Sequence, residues 1–234
     1  MIPVIQKTIP EIKYENAQSF ILLIDKEEDW TSFDAVKKIR NLLKIKKVGH
    51  GGTLDPFATG LLIVGVGQGT KMLNEIQMCS KIYDATIRFG IETDTYDRTG
   101  EIVNQVKTEK LDLDEIEKEI NLLSGEIEQI PPMYSAKKVD GQRLYKLARQ
   151  KKEISREPVK IKIFNTQILS WNRPELKLRL HVSKGTYIRS YAHDLGKQLN
   201  CGAHLSELRR VSIGSYNVES AFKIPEFIEY WSRN

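Results

Sequence analysis

The 234-residue sequence predicts an α+β fold, on three observations. Strand-like and helix-like segments follow one another irregularly, without the strand–helix–strand repeat of a wound parallel sheet. Two late segments alternate apolar with basic residues at period two, as antiparallel strands with one wet face do. No internal repeat, low-complexity tract or Pro/Gly/Ser-rich linker divides the chain, so residues 1–234 are expected to form a single domain.

The elements follow in order. Phe20 to Ile24 is continuously apolar and reads as a strand. Ser32 is a plausible N-cap for a helix ending near Leu43, since Val36, Ile39 and Leu43 recur on one face. Leu61 to Val66 is a short apolar run of the kind found in buried strands, and Ile82 to Phe89 alternates as a further strand. Leu111 to Leu123 is an acidic amphipathic helix. Val159 to Ile168 sets Val159, Ile161 and Ile163 against lysines, and Leu176, Leu178, Leu180 and Val182 alternate with Lys177, Arg179 and His181. Helices over Ile188 to Leu199 and Pro225 to Trp231 complete the scheme. Between Ile130 and Pro158 little regular structure is expected. A long segment of that kind inside a compact domain is usually functional or disordered.

Composition excludes several classes. Hydrophobic content of 40% and charged content of 29% are those of an ordinary globular protein. No run reaches the roughly 18 apolar residues of a membrane span, and no signal peptide is evident at Met1-Ile-Pro-Val-Ile-Gln-Lys7. Cys79 and Cys201 stand apart, which argues against a zinc site or a disulfide framework; the expected place is the cytoplasm. The net charge of +5 is mild, but its distribution is uneven. Pro131 to Lys162 holds ten basic residues and three acidic ones, and Lys37 to Lys47 six basic residues and no acid. Glu101 to Glu128 holds nine acids and three lysines. Such segregation fits a polyanion held on one side of the molecule, and solvated faces fit it as well. Tyr134 and Tyr145 among the cations of the basic segment suit a loop closing over nucleic acid.

The densest cluster of chemistry is Lys47-Val-Gly-His-Gly-Gly-Thr-Leu-Asp-Pro-Phe-Ala-Thr-Gly60. Its glycines permit close approach of backbone to a ligand, and Pro56 restricts the chain just after Asp55. A plain turn in which Asp55 accepts backbone hydrogen bonds is the competing reading. Gly65-Val-Gly-Gln-Gly-Thr-Lys71 fails both nucleotide-loop templates, lacking the Gly-Lys-Ser/Thr order of one and the glycine spacing of the other. Lys81-Ile-Tyr-Asp-Ala85 places Tyr83 on a strand, and Lys184-Gly-Thr-Tyr-Ile-Arg-Ser190 places Tyr187 and Arg189 near a helix start. Tyr83 as a core residue, Arg189 as a surface ion pair and His50 as a turn residue remain open at this level. His181, His193 and His204 receive no role, and no His/Cys/Asp/Glu grouping has metal-ligand spacing.

Several segments together resemble the TruB family of bacterial tRNA pseudouridine synthases. They are Gly49-His-Gly-Gly-Thr-Leu-Asp-Pro-Phe-Ala-Thr-Gly-Leu61, Lys81-Ile-Tyr-Asp-Ala85, Gly90-Ile-Glu-Thr-Asp-Thr-Tyr-Asp97, Pro131-Pro-Met-Tyr-Ser-Ala-Lys-Lys138, Ser183-Lys-Gly-Thr-Tyr-Ile-Arg-Ser190 and Leu208-Arg-Arg210. They occur in family order from about Lys26 to Ala221. The resemblance implies the pseudouridine synthase fold, a curved, mixed and largely antiparallel sheet flanked by helices and loops. It implies isomerisation of uridine 55 in the T loop of tRNA. The C1′–N1 bond breaks, the base turns, and C5 joins C1′, with no cofactor required.

Asp55 would then be the nucleophile or electrostatic partner of sugar or base, attacking C1′ or C6 or assisting elimination through a glycal. Arg189 would pair with that carboxylate, Tyr83 would stack on the base, and His50 would fill the place of the flipped nucleotide. Tyr187 and Leu208 would line the pocket, with Lys26 a further substrate-binding residue. The basic loop at about 131–158 would clamp the T stem-loop. No protein partner, membrane or metal is implied, and a monomer is expected. Two departures stand out. The family's proline and glycine after the lysine are absent from Lys26-Glu-Glu-Asp-Trp-Thr-Ser32, and the chain stops at Asn234, where many members carry a C-terminal RNA-binding domain. A non-catalytic RNA chaperone using the same cleft is the rival reading. A paired-carboxylate glycosidase is disfavoured because no second acid accompanies Asp55 in a matching motif.

Overall fold

The computed structural model describes residues 2–7, 18–135, 138–139, 141–150 and 154–233. In chain order the elements begin β1 (Val4–Ile5), β2 (Phe20–Lys26), α1 (Ser32–Leu43), β3 (Val48–His50), β4 (Thr59–Val66), α2 (Leu73–Met78) and β5 (Lys81–Phe89). There follow β6 (Ile91–Thr93), β7 (Ile102–Gln105), α3 (Leu113–Leu122) and β8 (Gly125–Gln129). The basic segment contains β9 (Lys138–Val139), β10 (Gln142–Arg143) and α4 (Leu144–Arg149). The last group is β11 (Val159–Asn172), β12 (Glu175–Val182), α5 (Ile188–Gln198), β13 (Ala203–Ile213), β14 (Tyr216–Asn217) and α6 (Ile224–Arg233). The α+β class is the one expected, with parallel and antiparallel pairing both present. No described helix is long and apolar enough to cross a membrane.

The chain falls into two compact units, residues 1–83 with 208–234, and residues 84–207. In the first, β2 is parallel to β1 and antiparallel to β4, and β4 also pairs with β3 and, in parallel, with β13. The unbroken apolar runs of β2 and β4 follow from burial on both faces. Phe20, Leu22, Ile24, Leu62, Val64 and Val66 pack on one side with Val36 and Ile39 of α1 and Phe227 of α6. Ile21, Leu23, Leu61 and Ile63 pack on the other with Leu73 and Ile76 of α2. The N-cap of α1 stands one residue earlier than the sequence signal places it. Thr31 is the N-cap, and its hydroxyl and the Asp34 carboxylate cap each other's backbone amides; Ser32 is the first helical residue and buried.

In the second unit β8, β11 and β12 form an antiparallel run. Leu176, Leu178, Leu180 and Val182 are buried while Lys177 and Arg179 face water, as the alternation predicts. Arg179 grips Asp84 with two hydrogen bonds, at 2.7 and 2.8 Å. Helix α3 is capped by Asp112 and packs against α5. Regular structure in the basic segment, a short hairpin and a short helix, corrects the expectation of an irregular loop. The largest omission at the sequence level is β13, whose residues carry no strand signal.

Candidate active site

Asp55 lies in the first unit, on the irregular loop between β3 and β4, and its side chain is half-buried. The loop makes few backbone hydrogen bonds of its own. Gly51 donates to Ile63 (2.8 Å), and Ala58 donates back to the Asp55 carbonyl (3.1 Å). Three buried polar side chains from three different elements bond further backbone groups in and beside it. The Ser32 hydroxyl, at the start of α1, accepts from the Leu54 amide (2.9 Å) and donates to the Leu54 carbonyl (3.2 Å). Arg210 of β13, 1% exposed, donates through Nε to Leu61 (2.8 Å), through Nη1 to Thr53 (3.4 Å) and through Nη2 to Gly52 (3.2 Å). Lys26, at the end of β2 and wholly buried, donates to the carbonyls of Glu27 (2.9 Å), Trp30 (2.7 Å) and Pro56 (3.1 Å).

These hydrogen bonds hold the backbone at 52, 53, 54 and 56, on both sides of Asp55. Burial pulls the Lys26 ammonium from its usual 10.5 down to about 8; Asp55 and Asp29 oppose that shift and Arg210 adds to it. All three protons of a charged Lys26 go to carbonyls, of which that of Pro56 lies in the loop. Asp25, beside it, is paired in two bonds with Arg209, at 3.0 and 2.8 Å.

The other candidates in the first unit are His50, Tyr83 and Leu208. His50 ends β3 and is half-buried; desolvation is the main cause lowering its pKa, with Arg210 adding and the Gly52 backbone opposing. The shift favours the neutral ring. Tyr83, on β5, is 9% exposed, and Leu208, on β13, is buried.

The second unit holds Arg189 and Tyr187. Arg189 is 5% exposed; its guanidinium donates to the carbonyls of Thr95 (3.2 Å) and Tyr134 (2.8 Å) and lies 3.6 Å from the Asp97 carboxylate. Asp97 is itself buried and accepts from the Thr95 hydroxyl (2.9 Å) and from the Thr99 amide (2.9 Å) and hydroxyl (2.6 Å). Arg189 thus joins the turn after β6 to the Pro-Pro-Met-Tyr segment. Tyr187 is the N-cap of α5 and receives no capping bond from its own side chain. The buried amide of Gln129 clasps its backbone, accepting from the Tyr187 nitrogen (2.8 Å) and donating to its carbonyl (3.1 Å). His193 stacks on Tyr96 at 3.9 Å and His204 meets the Ile91 carbonyl at 2.9 Å. Both rings therefore have internal partners.

In the basic segment, Arg156 is half-buried and donates to the Pro131 carbonyl (3.3 Å), so the two ends of the segment meet. Lys137, Lys151 and Lys152 lie outside the described residues. Sequence reasoning read Ser32 only as an N-cap, placed Asp97 and Arg210 in matching segments without a role, and did not single out Gln129. For Gln129 a signal existed: alternation through β8 puts it on the inward face, where a long amide needs partners. Among the described residues no group of three or more His, Cys, Asp or Glu side chains could hold a metal ion.

The chain is similar to known proteins along most of its length. A model of the TruB family pseudouridylate synthase N-terminal domain matches residues 40–188, and one of the tRNA pseudouridylate synthase B C-terminal domain matches 189–234. The chain is 44% identical to tRNA pseudouridine synthase B of Ureaplasma urealyticum, over 91% of its own length and 93% of that protein. It is 47% identical to the protein of that name from Protochlamydia amoebophila, over 86% and 76%, and 48% identical to that of Clostridium kluyveri, over 87% and 70%. Among solved structures it resembles a chain of a Cbf5-Nop10-Gar1 complex, with a TM-score of 0.70 at 26% identity. It also resembles a chain of an H/ACA RNP bound to a substrate RNA containing 2′-deoxyuridine, with a TM-score of 0.69 at 25% identity. It covers about half of each of those two chains, 54% and 53%. With the Asp55 loop, the Tyr83 strand and the Arg189 helix start all inside the matched regions, the chain belongs to the TruB family of pseudouridylate synthases.

Proposed function

We propose that the chain isomerises uridine to pseudouridine in tRNA, with uridine 55 of the T loop as its target. The observation that carries this reading is the loop of Asp55, a half-buried carboxylate whose flanking backbone is fixed by buried side chains, in a chain of this family. Relatives at 44–48% identity bear the name tRNA pseudouridine synthase B. The reaction breaks C1′–N1, rotates the uracil and forms C5–C1′, and the proton leaving C5 balances the one gained at N1. No electron or group donor enters. Asp55 supplies the charge or the nucleophile. Arg189 is the cation that the resemblance pairs with that carboxylate, and Tyr83 the ring against the base. Tyr187 and Leu208 line the pocket, and His50 offsets part of an unstacking cost of about a few kcal/mol. Lys26 acts through the loop. The basic segment at about 131–158 clamps the T stem-loop, and a monomer in the cytoplasm is the working form.

The test is the purified chain on unmodified tRNA transcripts, with pseudouridine mapped by position. Wild type forms pseudouridine at position 55, and Asp55→Asn forms none while its tRNA affinity stays within about threefold, because the amide keeps shape and loses charge. A wild type that binds tRNA without modifying it makes the RNA-chaperone reading the better one. Turnover by Asp55→Asn near the wild-type rate removes Asp55 from the chemistry.

A further inference from the structure

We propose that Ser32 and Arg210 are positioning residues of this reaction, which set where the Asp55 carboxylate stands without touching the RNA. The inference rests on Asp55 being the reacting group, as read above. Ser32 is 2% exposed and Arg210 1% exposed, so water does not compete for their hydrogen bonds. Both direct their side-chain polar atoms onto the Asp55 loop and its return into β4. Ser32 closes a reciprocal pair on Leu54, the residue before Asp55, and Arg210 spans the carbonyls of Gly52, Thr53 and Leu61.

The geometry has two consequences. First, the loop cannot slide along either anchor independently. Ser32 belongs to α1, whose first turn is locked by the Thr31–Asp34 capping box, and Arg210 belongs to β13, which pairs with β4 at Gly60. Second, no shorter or single-point donor replaces Arg210. Its guanidinium meets three carbonyls on two sides of the loop at once, a task for a planar fork of N–H groups that an ammonium cannot match. Displacing a reacting group by about 1 Å lowers a rate by about 100-fold. A clamp of this kind therefore acts on the chemical step, with substrate affinity set elsewhere.

The test uses the full chain with Ser32→Ala, Ser32→Thr and Arg210→Lys. Single-turnover pseudouridine formation is measured with protein in excess, beside tRNA affinity and melting temperature. The expected result for Ser32→Ala is a rate lower by about tenfold or more and for Arg210→Lys by about 100-fold, with affinity within about threefold in both. Ser32→Thr, which keeps the hydroxyl, recovers most of the rate per folded molecule. That rescue separates positioning from general stability, which would lower the folded fraction alone. A folded Ser32→Ala with the wild-type rate overturns the proposal. So does a rate that falls only in proportion to the unfolded fraction. If Arg210→Lys does not fold, exchange of the Arg210 Nε–H in wild type, which donates to Leu61, decides for Arg210. Protection like that of the β4 amides supports a second anchor, whereas exchange as fast as that of an exposed arginine shows that Arg210 holds nothing. A wild type inactive on tRNA is a different outcome and removes the proposed function instead.

Discussion

Lys26 is buried, yet its ammonium has a carbonyl for each of its three protons, those of Glu27, Trp30 and Pro56. Burial still dominates, and its pKa of about 8 against the usual 10.5 makes the residue a probe of the loop. Between those values the folded chain has released a proton that the unfolded chain retains, so stability attributable to Lys26 grows as pH rises from about 8 to 10.5. That gain is lost again as pH falls through 8, where the buried charge is a standing cost. The swing is on the order of 3 kcal/mol. Urea unfolding of wild type and Lys26→Met between pH 7 and pH 10.5 reads it as a change in the stability difference between the two proteins. A difference that stays flat across that range shows Lys26 to be unshifted. The family's proline and glycine are missing after Lys26, and the structure shows what the turn does here instead. Asp29, at a φ of 62°, donates its amide to the Pro56 carbonyl at 2.9 Å, alongside Lys26.

At the scale of elements, the parallel pairing of β4 with β13 depends on Gly60. Its φ is 102°, and a Cβ there would lie 2.3 Å from the Arg210 carbonyl oxygen and 2.7 Å from the Arg210 nitrogen. Gly60→Ala combines a left-handed backbone with a clash against a strand that cannot move away, so a loss of about 3 kcal/mol or more is expected from the denaturant midpoint. A loss below about 1 kcal/mol would mean that the two strands part easily. This pairing is not legible in the sequence, and the reason is chemical. In β13 the inward positions include His204, Arg210 and Ser212, so the strand carries polar groups where a periodic pattern requires apolar ones. Strands β2 and β4, filled with Ile, Leu and Val, are legible to within one or two residues at each end. The site is legible in the same uneven way. Asp55, Tyr83, Arg189 and Arg210 sit in recognisable motifs and Ser32 and Gln129 do not, but Ser32, Gln129 and Arg210 all act on backbone groups far away in sequence, and no local signal marks those partners. The basic segment misleads in the other direction, because β9, β10 and α4 are too short to show a period.

At the scale of the molecule, charge is what the RNA meets first. Arg156 is engaged at the base of its segment, so the phosphate interactions assigned to that region fall to the lysines, Lys151 and Lys152 among them. Replacing both with Ala is expected to flatten the plot of log affinity against log salt by roughly 0.7–0.9 for each phosphate no longer neutralised, while the modified position stays the same. An unchanged slope would show a solvated face, and a shifted position would show lysines that read the loop. Arg156→Ala should instead loosen the segment's closure and lower its protection from proteolysis. Because the isomerisation needs neither an electron nor a group donor, turnover should also survive exhaustive chelation and require no nucleotide. A strict metal dependence would overturn that chemistry.

The clamp on the Asp55 loop has a further consequence in time. Arg210 reaches its acceptors across separations of 149 to 158 residues, so half of what fixes the loop is translated long after the loop itself. At about 5–20 residues per second, the ribosome delivers Arg210 roughly 8–30 s after Asp55. Closing a loop that long also comes late by entropy, after the local hairpins and helices have formed. A nascent chain can therefore present its basic segment to RNA before it owns a finished carboxylate site. Stalled chains ending before β13 should hold tRNA and leave its uridines untouched, and competence should switch on only when the strand bearing Arg210 emerges.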